Sequence, residues 1–283
     1  MAKLLEGKLV AGALKEKQLS AVAALAQKGI TPTLGIIRIG ERPDDISYEK
    51  GATKRCESVG VAVKSLVLPD DCTQESLTEL IEKVNADDAI HGVLLFRPLP
   101  VGIDDQAVRN TLVPAKDVDG ITDLSLAGVF TGKTTGFAPC TAQACLEILD
   151  YFGYKLEGKK VTIIGRSLVV GKPLSLMMTD RNATVTLCHT RTASLADACR
   201  QADILVAAAG RAGVVGSELI PPGQVVIDVG INFTPDGMCG DVDFGAVADT
   251  VGAITPVPGG VGTVTTSVLV GNVILAAAKA VGL

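Results

Sequence analysis

The chain has 283 residues, 47% of them apolar and 20% charged, with 26 basic against 31 acidic residues and a formal net charge of −5. Such an apolar share excludes a disordered chain, and an acidic balance without a Lys/Arg-rich run excludes nucleic acid as the main partner; the length suits two domains. Gly is abundant at 31 residues, Trp is absent and aromatic residues reach only 3%, the composition of an α/β protein whose parallel strands are buried on both faces.

Lys3, Glu6 and Lys8 interrupt the N-terminus before an apolar stretch of signal-peptide length accumulates, so a cytoplasmic location is expected. Thr33–Ile39 reads as a strand, closed by Gly40 and the polar cluster Glu41–Asp45, and a helix follows from about Ile46 to Val59. Val61–Leu68 alternates as a second strand, Gln74–Ala86 has helical spacing, and Gly92–Phe96 is a third strand ended by Arg97-Pro98-Leu99-Pro100. A turn-rich passage from Lys116 to Gly136 then precedes a helix near Thr141–Tyr151, where the domain boundary is placed. The alternation restarts with strand Lys160–Ile164, a helix from Gly171, strand Thr184–Cys188, helix Ser194–Gln201 and strands Ile204–Ala207 and Val225–Val229, the order of a doubly wound sheet. Thr250–Ala278 is uncharged, but breakers fill its first half; the remainder, Val264–Ala278, is too short to span a membrane and is expected to be a buried terminal helix.

The seven cysteines contain no C-x-x-C pair, which argues against a zinc site or a disulfide framework and for a reducing compartment. His91 and His189 are the only histidines and are too far apart in sequence to suggest a metal site; His91 is expected to be solvated and His189 to shape a turn.

Val161–Pro173 places Gly165 at a strand end and Gly171 where a helix begins, the position at which a βα turn brings backbone N–H groups to a pyrophosphate. Ser167 replaces the second glycine of G-x-G-x-x-G, and a structural tight turn is the competing reading. The next strand ends in Cys188-His189-Thr190-Arg191-Thr192, where an NAD site would carry an acid for the ribose hydroxyl. Arg191, with Arg166, Ser167 and Thr190, suits a 2′-phosphate and favours NADP; the competing reading leaves both arginines solvated.

Six segments in order, Lys116-Asp-Val-Asp-Gly120, Pro139-Cys-Thr141, Gly165-Arg-Ser167, Val226–Asn232, Gly240-Asp-Val242 and Ile254–Gly262, resemble the methylenetetrahydrofolate dehydrogenase/cyclohydrolase family. The resemblance implies a homodimeric α/β enzyme acting on one-carbon derivatives of tetrahydrofolate. It also implies an N-terminal folate-binding catalytic domain, residues 1–140 plus 264–283, and a C-terminal Rossmann-type NADP domain, residues 141–263. Gly165, Arg166, Ser167, Thr190 and Ile231 would line the cofactor site, and Pro258, Gly259 and Gly260 would press backbone against folate and nicotinamide. Asp119 would hold the pterin ring, and Tyr48 would stack on the aminobenzoyl part and order water. The last helix would pack back onto the N-terminal domain.

Two positions depart from that pattern. Bifunctional members carry a Lys four residues after the Tyr and a Gln in the strand before Pro-Leu-Pro; here those positions hold Ala52 and Phe96. Lys54 stands two residues on from position 52, about 200° around a regular helix, and substitutes only if the helix shifts. Hydride transfer needs alignment more than proton transfer, whereas hydrolysis of the methenyl cation needs a group that moves protons. The expected function is therefore an NADP-dependent 5,10-methylenetetrahydrofolate dehydrogenase, using no metal, with weak or absent cyclohydrolase activity. The alternatives are the full bifunctional enzyme and a non-catalytic folate- or nucleotide-binding protein, the latter left open by Thr263-Val264 where Pro-Met usually follows the glycines.

Overall fold

Apolar runs without alternation become parallel strands buried on both faces, and they sort into two separate sheets in the computed structural model, which describes residues 2–133, 135–235 and 237–283. In chain order the described elements are β1 (Lys3–Leu4), α1 (Gly7–Ala26), β2 (Thr33–Ile39), α2 (Pro43–Glu57), β3 (Ala62–Leu68), α3 (Gln74–Ala86), β4 (Gly92–Leu95), α4 (Asp105–Thr111), α5 (Asp123–Thr131), α6 (Cys140–Tyr151), β5 (Lys160–Ile164), α7 (Gly171–Thr179), β6 (Thr184–Cys188), α8 (Leu195–Arg200), β7 (Ile204–Ala207), β8 (Val225–Asp228), β9 (Asn232–Thr234), β10 (Gly237–Cys239), α9 (Phe244–Val247), β11 (Ala253–Ile254) and α10 (Val261–Ala280).

Two compact units result, one of Ala13–Cys140 with Thr266–Leu283, called N-terminal below, and one of residues 2–12 with Thr141–Thr265, called C-terminal. The N-terminal unit holds a parallel sheet in the order β3-β2-β4, with Ile37, Ile81, Leu77, Ile90 and Leu95 in its core. Thr73 caps α3 by accepting the Ser76 N–H, and Leu77, Ile81 and Val84 recur at helical spacing to form its buried face. Gly92 is side-chain-free because Val118 and Val273 press on it, which lets the 116–120 loop and α10 close on β4.

The C-terminal unit holds a parallel sheet in the order β1-β11-β8-β7-β5-β6. From β5 the chain moves outward to β6 and then crosses back to β7 on the other side of β5. The reversal puts a topological switch point at the carboxyl ends of β5 and β7, where open α/β sheets take their ligands.

Several features differ from the sequence reading. Residues 2–12 join the C-terminal unit and not the N-terminal one, because β1 pairs with β11 (Lys3↔Ala253) and Leu5 N–H donates to Ile254 O at 2.8 Å. A two-residue strand leaves no periodicity to find. The passage read as turns contains α5, capped by the Thr122 hydroxyl on Ser125 N–H and ended by left-handed Gly132. The terminal helix begins at Val261 and runs 20 residues, long and apolar enough by length and composition to cross a membrane, so shortness is no argument against a span. What distinguishes it is burial: Val264, Val270, Val273 and Ala277 are inside the protein, Gln18 Nε2 donates to Ser267 O at 2.7 Å and Asn272 Nδ2 to Val118 O at 2.8 Å.

Candidate active site

In the N-terminal unit, α2 starts with Pro43 in its first turn and Asp44 and Asp45 at its positive end, and it runs without interruption to Glu57. Tyr48 and Ala52, one turn apart, share a face. Ala52 is 1% exposed, whereas Lys50 and Lys54 are both exposed to solvent. Phe96, the first residue beyond β4, is held by its N–H on Ile37 O at 3.0 Å and places its ring edge-on to Tyr48, centroids 5.6 Å apart. Positions 48, 52 and 96 thus form an aromatic and aliphatic wall. Arg97, next along, donates from Nε and Nη2 to the two carboxylate oxygens of Asp105.

Beside this wall stands Asp119. Burial pushes its carboxyl up to about 7, with Asp117 adding to the rise and the Cys140 thiol and Arg97 pulling it back. Burial and the Asp119 charge also push the Tyr48 hydroxyl upward, against a hydrogen bond with Thr266. Cys140 Sγ donates to Val118 O at 3.1 Å, and burial raises its thiol well above the ordinary range. Asp117, two residues earlier, holds the loop itself, its carboxylate accepting Ile121 N–H, Thr122 N–H and the Ser125 hydroxyl at 2.9, 2.8 and 2.6 Å. Of the two acids in Lys116-Asp-Val-Asp-Gly120, one shapes the loop and the other faces Tyr48.

The C-terminal unit carries the glycine turn. Gly165 ends β5 with its N–H on Cys188 O at 2.9 Å, at φ +120°, and a Cβ there would run into the Ala208 carbonyl beyond β7. Gly171 is pressed in turn against the Gly165 carbonyl, and Ser167 ties the loop by accepting Val170 N–H at 3.1 Å. Arg166, Ser167, Thr190 and Arg191 are exposed. Because Ile164 and Cys188 are in register, both arginines follow the carboxyl ends of adjacent strands. Among the described residues after Thr141 the ion pairs are Lys159–Asp203, Arg181–Asp150 and Arg200–Asp197, so neither Arg166 nor Arg191 is taken up by an acid. Tight backbone with two available guanidiniums fits a pyrophosphate and a further phosphate. Gly165→Ala should cost ~2–4 kcal/mol through strain and overlap, read as a lower melting temperature together with lost dinucleotide binding.

His189 Nδ1 accepts Arg191 N–H at 3.0 Å and so shapes this turn. His91, expected to be solvated, is instead half-buried, accepting Thr33 N–H on Nδ1 at 3.2 Å, and burial with Lys116 nearby lowers its pKa.

In the same unit Gly259, at φ +102°, and Gly260 lie where Gly7 N–H donates to Gly259 O at 2.8 Å and a Cβ at residue 7 would overlap the Gly260 carbonyl. Pro258 and Gly259 are exposed, and Ile231, 56% exposed, reaches Gly262. Sequence reasoning missed the two acids behind these loops, Asp228 and Asp241. Both are buried and both bind backbone N–H groups. The available signal was an Asp ending an apolar strand, Val225–Asp228, and a second Asp directly after Gly240.

Residues 5–119 match the family model described as the tetrahydrofolate dehydrogenase/cyclohydrolase catalytic domain, and residues 139–281 match its NAD(P)-binding domain. The "Bifunctional protein FolD" of Carboxydothermus hydrogenoformans is 52% identical over 272 residues, covering 95% of each chain. Among solved structures, the bifunctional methylenetetrahydrofolate dehydrogenase/cyclohydrolase of Campylobacter jejuni superposes with a TM-score of 0.96 at 36% identity, covering 99% of each chain. The Trypanosoma brucei dehydrogenase–cyclohydrolase, solved with NADP and an inhibitor, gives 0.93 at 34% identity, covering 100% of this chain and 99% of that one.

Proposed function

Because the chain belongs to the tetrahydrofolate dehydrogenase/cyclohydrolase family, we propose that it oxidises 5,10-methylenetetrahydrofolate with NADP, as a cytoplasmic homodimer. The observation that carries the reading is the gathering of Tyr48, Asp119, Cys140 and Thr266, far apart in sequence, into one cluster. Asp119 supplies an acceptor pair for the N–H edge of an aminopyrimidinone, and Tyr48 supplies a ring face for an aromatic amide. Pro258, Gly259 and Gly260 offer backbone without side chains, which lets flat ligands approach closely. The Gly165 turn would take the cofactor's diphosphate, Arg166 and Arg191 with the hydroxyls of Ser167 and Thr190 would hold its 2′-phosphate, and Ile231 would line the cofactor site. When bound, NADP supplies the acceptor for the hydride that leaves the methylene carbon, and the two flanking nitrogens stabilise the cation left behind.

The reading is tested by NADPH formation from methylenetetrahydrofolate in proportion to protein; no NADPH from NADP and no NADH from NAD would withdraw it. Arg191→Ala should weaken NADP by ~10–100-fold and NAD by less than about threefold, since a charge-assisted bond to phosphate is worth about 1.5–3 kcal/mol. Equal losses, measured by titration with each cofactor, would remove the 2′-phosphate assignment.

A second reading includes methenyltetrahydrofolate hydrolysis, and the bifunctional names of the Carboxydothermus and Campylobacter relatives favour it over a lone dehydrogenase. Against it stand Ala52 and Phe96, neither of which carries a proton where bifunctional members have Lys and Gln, and the exposed Lys54 on an unbroken helix, which leaves Asp119 as the carboxyl beside Tyr48. We infer that any hydrolysis by this chain is weak.

A further inference from the structure

In the C-terminal unit the segments at the carboxyl ends of β7, β8 and β11 are fastened to two carboxylates. Asp241, with no solvent exposure, accepts Ala209 N–H and Gly210 N–H on Oδ2 at 2.6 and 2.9 Å, and Arg211 N–H and Asn232 Nδ2 on Oδ1 at 2.9 and 3.0 Å. Asp228 accepts Gly230 N–H and Asp241 N–H on Oδ1 at 2.9 and 3.0 Å and Val242 N–H on Oδ2 at 3.0 Å. Its own N–H donates to Thr255 Oγ1 at 2.7 Å, immediately before Pro256–Gly260. Gly230 and Gly240 are the positions where a Cβ would overlap these carboxylates, so each acid is seated against a glycine.

One network therefore runs from the segment after β7, through Asn232 beside Ile231, to the root of the Pro-Val-Pro-Gly-Gly loop. A cavity of about 340 Å³, lined by Gly213, Asp228, Gly240, Asp243 and Val257 among others, opens alongside it. Burying two carboxylates in contact through one backbone is costly unless donors surround them, and here donors do. Ordinary turn residues would close such loops with less desolvation. What the carboxylates add is a fixed spacing among the three segments that follow β7, β8 and β11 on the carboxyl edge of the sheet.

We propose that Asp241, seated by Asp228, is a positioning residue for the oxidation: it touches neither substrate nor cofactor, and it sets the spacing of residues 209–211, Ile231 and the Pro258–Gly260 backbone. The role rests on the dehydrogenase reading above. In Asp241→Asn one acceptor oxygen becomes an amide NH2 that faces groups which are themselves donors, so one half of the clamp opens without loss of volume.

In the full-length protein, Asp241→Asn should lower kcat by ~10–100-fold, the scale on which small misplacements act. NADP affinity, anchored by Arg166 and Arg191 elsewhere, should change less than about threefold. Amide hydrogen exchange at Ala209–Arg211 should accelerate at least about tenfold while β5 and β7 stay protected. Asn232→Ala, which removes a single donor, should lower kcat in the same direction, by less, with an unchanged melting temperature. Turnover within about twofold of the wild type in both variants would overturn the role, and so would a loss that appears only together with lost NADP binding and lost cooperative melting. A wild type that makes no NADPH would bring down the dehydrogenase reading and this role with it, a result separable from the others by the wild-type arm alone.

Discussion

Given 5,10-methylenetetrahydrofolate and NADP, the protein is expected to accumulate 5,10-methenyltetrahydrofolate, which then drains only at its rate in buffer. Opening the methenyl bridge requires water to lose a proton and a ring nitrogen to gain one, and a positioned proton carrier contributes ~10²–10⁴-fold to such a step. Ala52 offers none, and Phe96 fills the space next to Tyr48 with a ring. Ala52→Lys alone should add little, because the new side chain would enter a buried position against that ring. Ala52→Lys combined with Phe96→Gln should raise methenyl hydrolysis by at least ~10-fold, since the amide both frees volume and accepts a hydrogen bond from the ammonium. The reading is followed by absorbance of NADPH and the methenyl product through time. Formyltetrahydrofolate appearing in proportion to wild-type enzyme would establish the bifunctional reading that the relatives' names favour.

Asp119→Asn should lower kcat/KM for the folate by ~100-fold and remove its pH dependence, an effect the size of a lost charge-assisted bond with its partner left unpaired. The wild-type carboxyl, raised to about 7, is protonated below that pH and charged above it. Only the carboxylate presents two acceptors, so kcat/KM should rise with pH through about 7 in the wild type and run flat in the variant. Stability runs the other way. The folded state holds the Asp119 proton where an unfolded Asp, near its ordinary 3.8, has lost it. This group's contribution is full below about 4 and is lost as pH rises to about 7. A melting profile that keeps the same slope between those limits in Asp119→Asn would show that the carboxyl is not the titrating group.

Strands and helices with a clear period were readable residue by residue: Thr33–Ile39, Gln74–Ala86, Lys160–Ile164 and Thr184–Cys188 fall on elements with the same bounds. Helix α1 was not, because its apolar residues are spread around the axis, leaving Leu9 and Leu19 exposed and Val10 and Leu25 buried. The candidate site shows a similar division. The glycine turn announces itself through local chemistry, since Gly165 and Gly171 are needed for one close approach within seven residues. Asp119 does not, because Asp117 lies two positions away in the same loop, and only the fold assigns one, through short-range hydrogen bonds, to the loop and the other, through its charge, to Tyr48. For Asp228 and Asp241 the sequence offered only their positions after an apolar strand and after Gly240, because most of their partners are backbone amides that no side-chain pattern marks.

The pairing of β1 with β11 joins residues about 250 positions apart, Lys3 with Ala253. A chain emerging from the ribosome at ~5–20 residues per second therefore carries its first strand unpaired for on the order of 10–50 s. A segment made about 250 residues before its partner is among the last to be seated. During that interval Leu4 and Leu5 wait outside any sheet, and the neighbouring charges Lys3, Glu6 and Lys8 act as gatekeepers against premature association.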